Sequence, residues 1–163
     1  SIPHDAADPF GLTLKSGQGY RVGLATDIGF PTQLIRSHLR GLNGLVLEFN
    51  HDVAMLMDGP YPWTVKQRIR GKLGHLSNVD AAGLLDEVAS HDLEWVICAH
   101  ISQENNETEV IVQEARGALT GASSLLSQPS SAALCVATQV EPTPLYGPAG
   151  QIVPSAGNLE EAP

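Results

Sequence analysis

The sequence predicts an α/β fold, with one mixed sheet and helices packed on one face of it. Short runs rich in Val, Leu and Ile recur at "YRVGLA", "GLVLEF", "EWVICA" and "AALCVA", and the stretches between them place apolar residues at helical spacing. Strands alternating with helices form layered α/β architectures. The chain also has 163 residues and 42% hydrophobic content, enough for one domain with a real core.

Each element has its own signal. "GLTLKSGQG" leads through a Gly-rich turn into "YRVGLATDIG", so 12–26 reads as a hairpin. "PTQLIRSHLRG" (31–41) reads as a helix, with Pro31 early, Gly41 at its end, and Leu34, Ile35 and Leu39 on one face. "GLVLEFN" (44–50) is a buried strand. "HDVAMLMDG" is a short helix closed by Gly59, "PYPW" a turn, and "TVKQRIRG" a short basic helix. In "GHLSNVDAAGLLDEVASH", Ser77 three residues before Asp80 resembles a capping box, and Ala81, Leu84, Leu85 and Val88 form the apolar stripe that follows. "EWVICAH" (94–100) is a strand. "NETEVIVQEARGAL" has a β-branched run, but Val110, Ile111, Ala115, Ala118 and Leu119 recur at helical spacing and favour a helix. "SSAALCVATQV" (130–140) closes the sheet, which is expected to contain 12–16, 20–26, 45–49, 95–99 and 132–139. The domain is expected to span 1–140, with 141–163 a Pro/Gly-rich extended tail.

No apolar run is long enough to cross a membrane, and no signal-peptide pattern opens the sequence. Cys98 and Cys135 sit inside apolar runs and read as buried strand thiols, which suits a reducing cytoplasm. Acidic residues outnumber basic ones 18 to 9, which excludes phosphate neutralisation over the whole surface. It leaves room for a local patch, and Lys66 to Lys72 ("KQRIRGK") supplies one. The opening "SIPHDAADPFG" has no initiating methionine and reads as the start of a piece cut from a longer chain.

In α/β sheets functional groups gather at the carboxyl ends of strands. Asp27, Asn50, His51 and His100 all fall there. His4 and His75 adjoin polar turns, whereas His38 and His91 read as ordinary surface histidines. Imidazole and carboxylate are common metal ligands, but histidines that simply pack or hydrogen-bond are an equally ordinary reading of such positions.

Five ordered stretches, "HDAADPFG", "LATDIG", "LEFNHDVAML", "DGPYPWTVKQRIRGKLGHLSNVDAA" and "CAHISQENN", resemble the C-terminal half of metallo-β-lactamase-fold hydrolases from about Ile2 to Leu119. The resemblance is closest to the YycJ/WalJ-like branch and more distant to the RNase Z group. It implies one half of an αββα sandwich in a metal-dependent phosphodiesterase or nuclease. Such an enzyme uses two divalent ions, zinc or manganese, to activate a hydroxide. By position, the resemblance makes His4 a ligand of the first metal, His100 of the second, and Asp27 the bridge between them. It makes His75 the proton donor to the leaving group. Asn50 and His51 would support the ligands, and Glu48 is either such a support or a buried strand residue with a local partner. Lys66, Arg68 and Arg70 would contact a nucleic acid or other phosphodiester substrate. The family's His-x-His-x-Asp-His stretch is absent from these 163 residues. The chain alone is therefore expected to hold no stable two-metal centre and to be inactive. The alternative is a non-catalytic half-domain that binds an N-terminal-half partner or a second copy of itself.

Overall fold

The computed structural model describes residues 2–7, 9–121, 130–148 and 150–151. Its centre is a five-stranded mixed sheet of β1 (Leu12–Lys15), β2 (Arg21–Ala25), β3 (Gly44–Glu48), β4 (Trp95–Ala99) and β5 (Ala133–Val136), in that spatial order. β1 pairs antiparallel with β2, and β2 to β5 run parallel. The hairpin turn is closed by Ser16, whose backbone N–H donates to the Tyr20 carbonyl while its Oγ accepts from the Gln18 and Tyr20 amides. All five expected strands are present; the last is shorter than the 132–139 run.

Each parallel step advances in one direction across the sheet. Right-handed crossovers put the connections on one face. The helices are α1 (Gln33–Leu39), α2 (Val53–Asp58), α3 (Trp63–Ile69), α4 (Asn78–Val88) and α5 (Thr108–Thr120), of which α1, α4 and α5 pack against the sheet. The core lies between this layer and the sheet: Leu45, Leu47, Val96 and Cys98 from the strands meet Ile35, Leu39, Leu84, Leu85, Val88, Ile111 and Ala115 from the helices. Ser77 caps α4 by accepting from the Asp80 amide, as its spacing implied. Gly121, in left-handed conformation (φ 73°), closes α5. Leu34 departs from expectation. It is 54% exposed, because a seven-residue helix presents only one narrow stripe to the sheet, and Ile35 and Leu39 fill it.

The opposite face is apolar and, among the described residues, open at its β1–β2 end. Register aligns Leu12, Leu24, Val46, Ile97 and Cys135 in one row, with Leu14 beside Val22. Leu12, Leu14 and Leu24 are exposed. Cys135 is only half-buried here, unlike Cys98 on the helix side, whose thiol burial pushes up to about 12. At one end the Trp95 indole lies across Gly44, where a Cβ would fall 2.0 Å from the ring. Tyr146 stacks at 5.5 Å on Trp95, from a two-strand ladder, β6 (Tyr146–Gly147) and β7 (Gly150–Gln151). The described part of the 141–163 stretch is thus not simply extended; residues 152–163 lie outside the described residues.

Candidate metal centre

The carboxyl ends of β2, β3 and β4 lie side by side, so residues just beyond them share one rim. Asp27 follows β2, Glu48 ends β3 and His100 follows β4. His75 arrives from the turn after α3, where its amide donates to the Ile69 carbonyl, and Leu76 then accepts from the Asn50 amide. The N-terminal segment is pinned across the rim by two backbone bonds, Gly29 N–H to the Pro3 carbonyl and Asp5 N–H to the Leu73 carbonyl. This carries His4 to the same place. Asp27, Glu48, His75 and His100 each offer a ligand atom, all within 4.8 Å of one another.

Asp27 Oδ1 sits among three imidazoles: 3.5 Å from His4 Nε2, 3.7 Å from His100 Nδ1 and 4.0 Å from His75 Nδ1. The His4 and His75 rings are 4.9 Å apart, and His75 and His100 5.0 Å. Among the described residues, Asp27 (φ 59°) and His100 (φ 55°) are the two non-glycine residues with positive φ. L-residues adopt this conformation at a cost, and such outliers concentrate at functional sites.

Glu48 is fully buried and organises the rim. Its Oε1 receives His75 Nδ1 at 2.8 Å and His100 Nδ1 at 2.7 Å, and its Oε2 accepts from the Ile28 and Leu76 amides. Burial alone would raise its pKa, but the two imidazoles and the Ile28 amide outweigh it and hold the carboxyl down to about 2. The bond to Glu48 raises the pKa of His100. A carboxylate only accepts, so both imidazoles carry hydrogen on Nδ1 and leave Nε2 for another partner. His4 Nδ1 likewise donates to the Gly74 carbonyl at 2.9 Å, which turns Nε2 toward Asp27 and Asp5. His4 thus turns one nitrogen to a carbonyl and the other to Asp27, whereas His75 and His100 direct the same Nδ1 at both Glu48 and Asp27. A carboxylate or carbonyl that fixes one imidazole nitrogen is a usual companion of metal-ligating histidines. The donor set of imidazole nitrogens and an aspartate suits zinc and similar divalent ions.

The remaining expected residues stand further back. Asn50 Nδ2 donates to the His100 carbonyl at 2.9 Å and so braces that left-handed turn. His51 is 2% exposed, bonded to Asn50 Oδ1 at 3.3 Å. Burial, with the nearby His75 charge, lowers its pKa to about 4, so it is neutral near pH 7. Lys66 does not reach outward. It is buried, and its ammonium donates to the Met57 and Gly59 carbonyls at 2.6 and 2.7 Å, capping the end of α2. This corrects the expectation that Lys66 contacts substrate, since its charge is already used inside the fold. Arg68 is exposed but bonds Asp5 Oδ2 at 2.5 Å, which lowers the Asp5 pKa. Arg70 is exposed, with Nη1 3.3 Å from Met57 Sδ. Sequence reasoning gave Glu48 only a possible supporting part and did not single out Asp5. The one sequence signal for Glu48 is a carboxylate inside an otherwise apolar buried strand.

Comparison with known proteins gives sequence relatives. The chain is 36% identical over 109 residues to "Exodeoxyribonuclease YycJ" of Bacillus anthracis, covering 67% of this chain and 41% of that protein. It is 34% identical over 110 residues to "Exodeoxyribonuclease WalJ" of Streptococcus pneumoniae serotype 2 (strain D39 / NCTC 7466), covering 67% of this chain and 40% of that one. The chain thus spans about two fifths of the length of these relatives. Among solved structures, the metallo-beta-lactamase fold protein YhfI from Bacillus subtilis aligns with a TM-score of 0.47 at 12% identity, over 78% of this chain and 46% of that one. No family model matches the sequence.

Proposed function

We propose, from the chain's membership of the YycJ/WalJ family over the 109 residues it shares with the Bacillus anthracis protein, that it is the C-terminal portion of a metal-dependent phosphodiesterase acting on DNA. The observation that carries this reading is Asp27 Oδ1 placed within 4.0 Å of three imidazoles. On this reading His4 and His100 would each hold a divalent ion, Asp27 would be a ligand common to both, and Glu48 fixes the rings of His75 and His100. When bound, such ions polarise a phosphoryl oxygen and make water more acidic. His75, oriented through Nδ1 by Glu48, would be the proton donor to the leaving oxygen, a transfer to which imidazole is suited. Arg70, exposed at the C-terminal end of α3, meets a substrate phosphate. Zinc or manganese fits the donors. No helix among the described residues is long and apolar enough to cross a membrane, and with DNA as substrate a cytoplasmic location is the consistent one.

Each proposed ion has two protein ligands from this chain, one of them shared, whereas a catalytic zinc site has three protein ligands and an open position. The test is metal analysis after dialysis together with a deoxyoligonucleotide degradation assay. These are run on the chain alone and on the chain fused to the portion of the Bacillus anthracis relative that it does not match. The expected result is no retained pair of ions and no turnover for the chain alone, and both for the fusion. Asp27→Asn in the fusion should abolish both. A fusion that binds ions but leaves DNA intact would overturn the phosphodiesterase reading.

A second reading is favoured by the exposed row of Leu12, Leu14 and Leu24 on the outer sheet face. There the chain is a non-catalytic half-domain, and that face seats the remainder of the protein or another copy. Inactivity of the fusion combined with tight, stoichiometric association would support it.

A further inference from the structure

We propose that the cleft between α2 and α3 seats one unpaired base of a single-stranded nucleic acid on the indole of Trp63. The cleft measures about 300 Å³ and is lined by Met57, Trp63, Lys66, Gln67 and Arg70. That is the small end of the range for ligand sites. It takes its substrate class from the phosphodiesterase reading, but its test is separate.

Three observations converge. Trp63 is 57% exposed, directly after Pro62 at the start of α3. A large aromatic face left in water beside a cationic side chain is the arrangement on which single-stranded bases stack. Next, the cleft divides its polar groups by role. The Lys66 ammonium is satisfied by the Met57 and Gly59 carbonyls and forms the floor, while Arg70 keeps its guanidinium at the surface, near the polarizable Met57 sulfur. A base would meet the indole and thioether, and its phosphate the guanidinium. Finally, α3 links the cleft to the imidazole rim. The Ile69 carbonyl accepts from the His75 amide, and the intervening turn is tight enough that a Cβ on Gly74 would fall 2.1 Å from that carbonyl. A strand end seated on Trp63 is therefore held at a fixed offset from His75. A base paired in a duplex is already stacked on its neighbours and cannot present its face to the indole, so the cleft selects single strands.

The test uses the full 163-residue chain with chelator present, so that cleavage plays no part. The chain has two tryptophans, and Trp95 is only 4% exposed. Quenching of emission by a short oligothymidylate therefore reports on Trp63. The expected result is a saturable quench that Trp63→Leu removes, with affinity for a labelled oligothymidylate falling by about tenfold. Trp63→Phe should retain most of the affinity. Arg70→Gln should weaken binding and flatten its salt dependence, and a blunt duplex should bind less tightly than the single strand. Circular dichroism checks that each variant is folded. Equal affinity for wild type and Trp63→Leu, equal quenching by duplex, or no binding by the wild type would each overturn the proposal. Failure of the fusion to cleave DNA would leave the quench standing and count only against the phosphodiesterase reading.

Discussion

Glu48 and His51 dominate the chemistry of single residues here. The Glu48 carboxylate accepts four N–H groups in a fully buried position, so Glu48→Ala should leave two ring nitrogens and two amides without their acceptor. Breaking a buried charged network typically costs about 3–5 kcal/mol, and urea unfolding followed by tryptophan fluorescence should show a loss of that order. The same pair contributes an acid limb to the stability of the metal-free chain, against which the raised pKa of His100 works with the opposite sign. Glu48 has a folded pKa of about 2, below its ordinary 4.5, and His51 one of about 4, below its ordinary 6.5. In both cases the unfolded chain binds more protons across the interval, so stability falls with falling pH. The His51 contribution is lost between about 6.5 and 4, and the Glu48 contribution between about 4.5 and 2. His51→Asn should flatten the upper part of that acid limb and leave the lower part. None of this was legible locally. The partners of Glu48 lie at Ile28, His75, Leu76 and His100, and only the parallel alignment of β2, β3 and β4 brings them together.

At the scale of elements the sequence was far more readable. Strands buried in a parallel sheet read as continuous apolar runs, and β2, β3 and β4 fall within a residue or two of where those runs lie. The capping serine and the apolar stripe of α4 were equally plain, because both are local features. The basic run at Lys66–Lys72 misled for a physical reason. A charge run looks solvated in one dimension, yet Lys66 sits where its long side chain folds back to the carbonyl of Met57, nine residues earlier. Lys66→Met should therefore act on stability, through the end of α2. The expected loss is about 1–3 kcal/mol, measured by thermal melting, with little change in the salt dependence of oligonucleotide binding. Gly44→Ala should disturb β3 differently. A methyl group there would fall on the Trp95 indole, so the ring must shift from Gly44 and Tyr146. A red-shifted tryptophan emission would report it, and an unchanged spectrum would contradict the packing described.

For the whole molecule, the decisive asymmetry is a sheet covered by α1, α4 and α5 on one side while, among the described residues, Leu12, Leu14 and Leu24 on the other side stay exposed. Exposed apolar faces of this kind seek a partner. Leu14→Lys together with Leu24→Lys should reduce self-association of the isolated chain in size-exclusion chromatography and lower its binding of a hydrophobic dye. An already monomeric, dye-negative wild type would refute this. Elsewhere the molecule carries a burden of its own making. Asp27 and His100 hold left-handed backbones, at roughly 1–2 kcal/mol each, in a domain whose total stability is on the order of 5–15 kcal/mol. Replacing Asp27 with glycine should raise the melting temperature of the metal-free chain while removing the shared carboxylate. The rim is thus kept against the interest of the fold. Drift toward greater stability at these two positions would erode the site without any sign of misfolding, so a sturdier descendant of this chain is the one most at risk of having lost its chemistry.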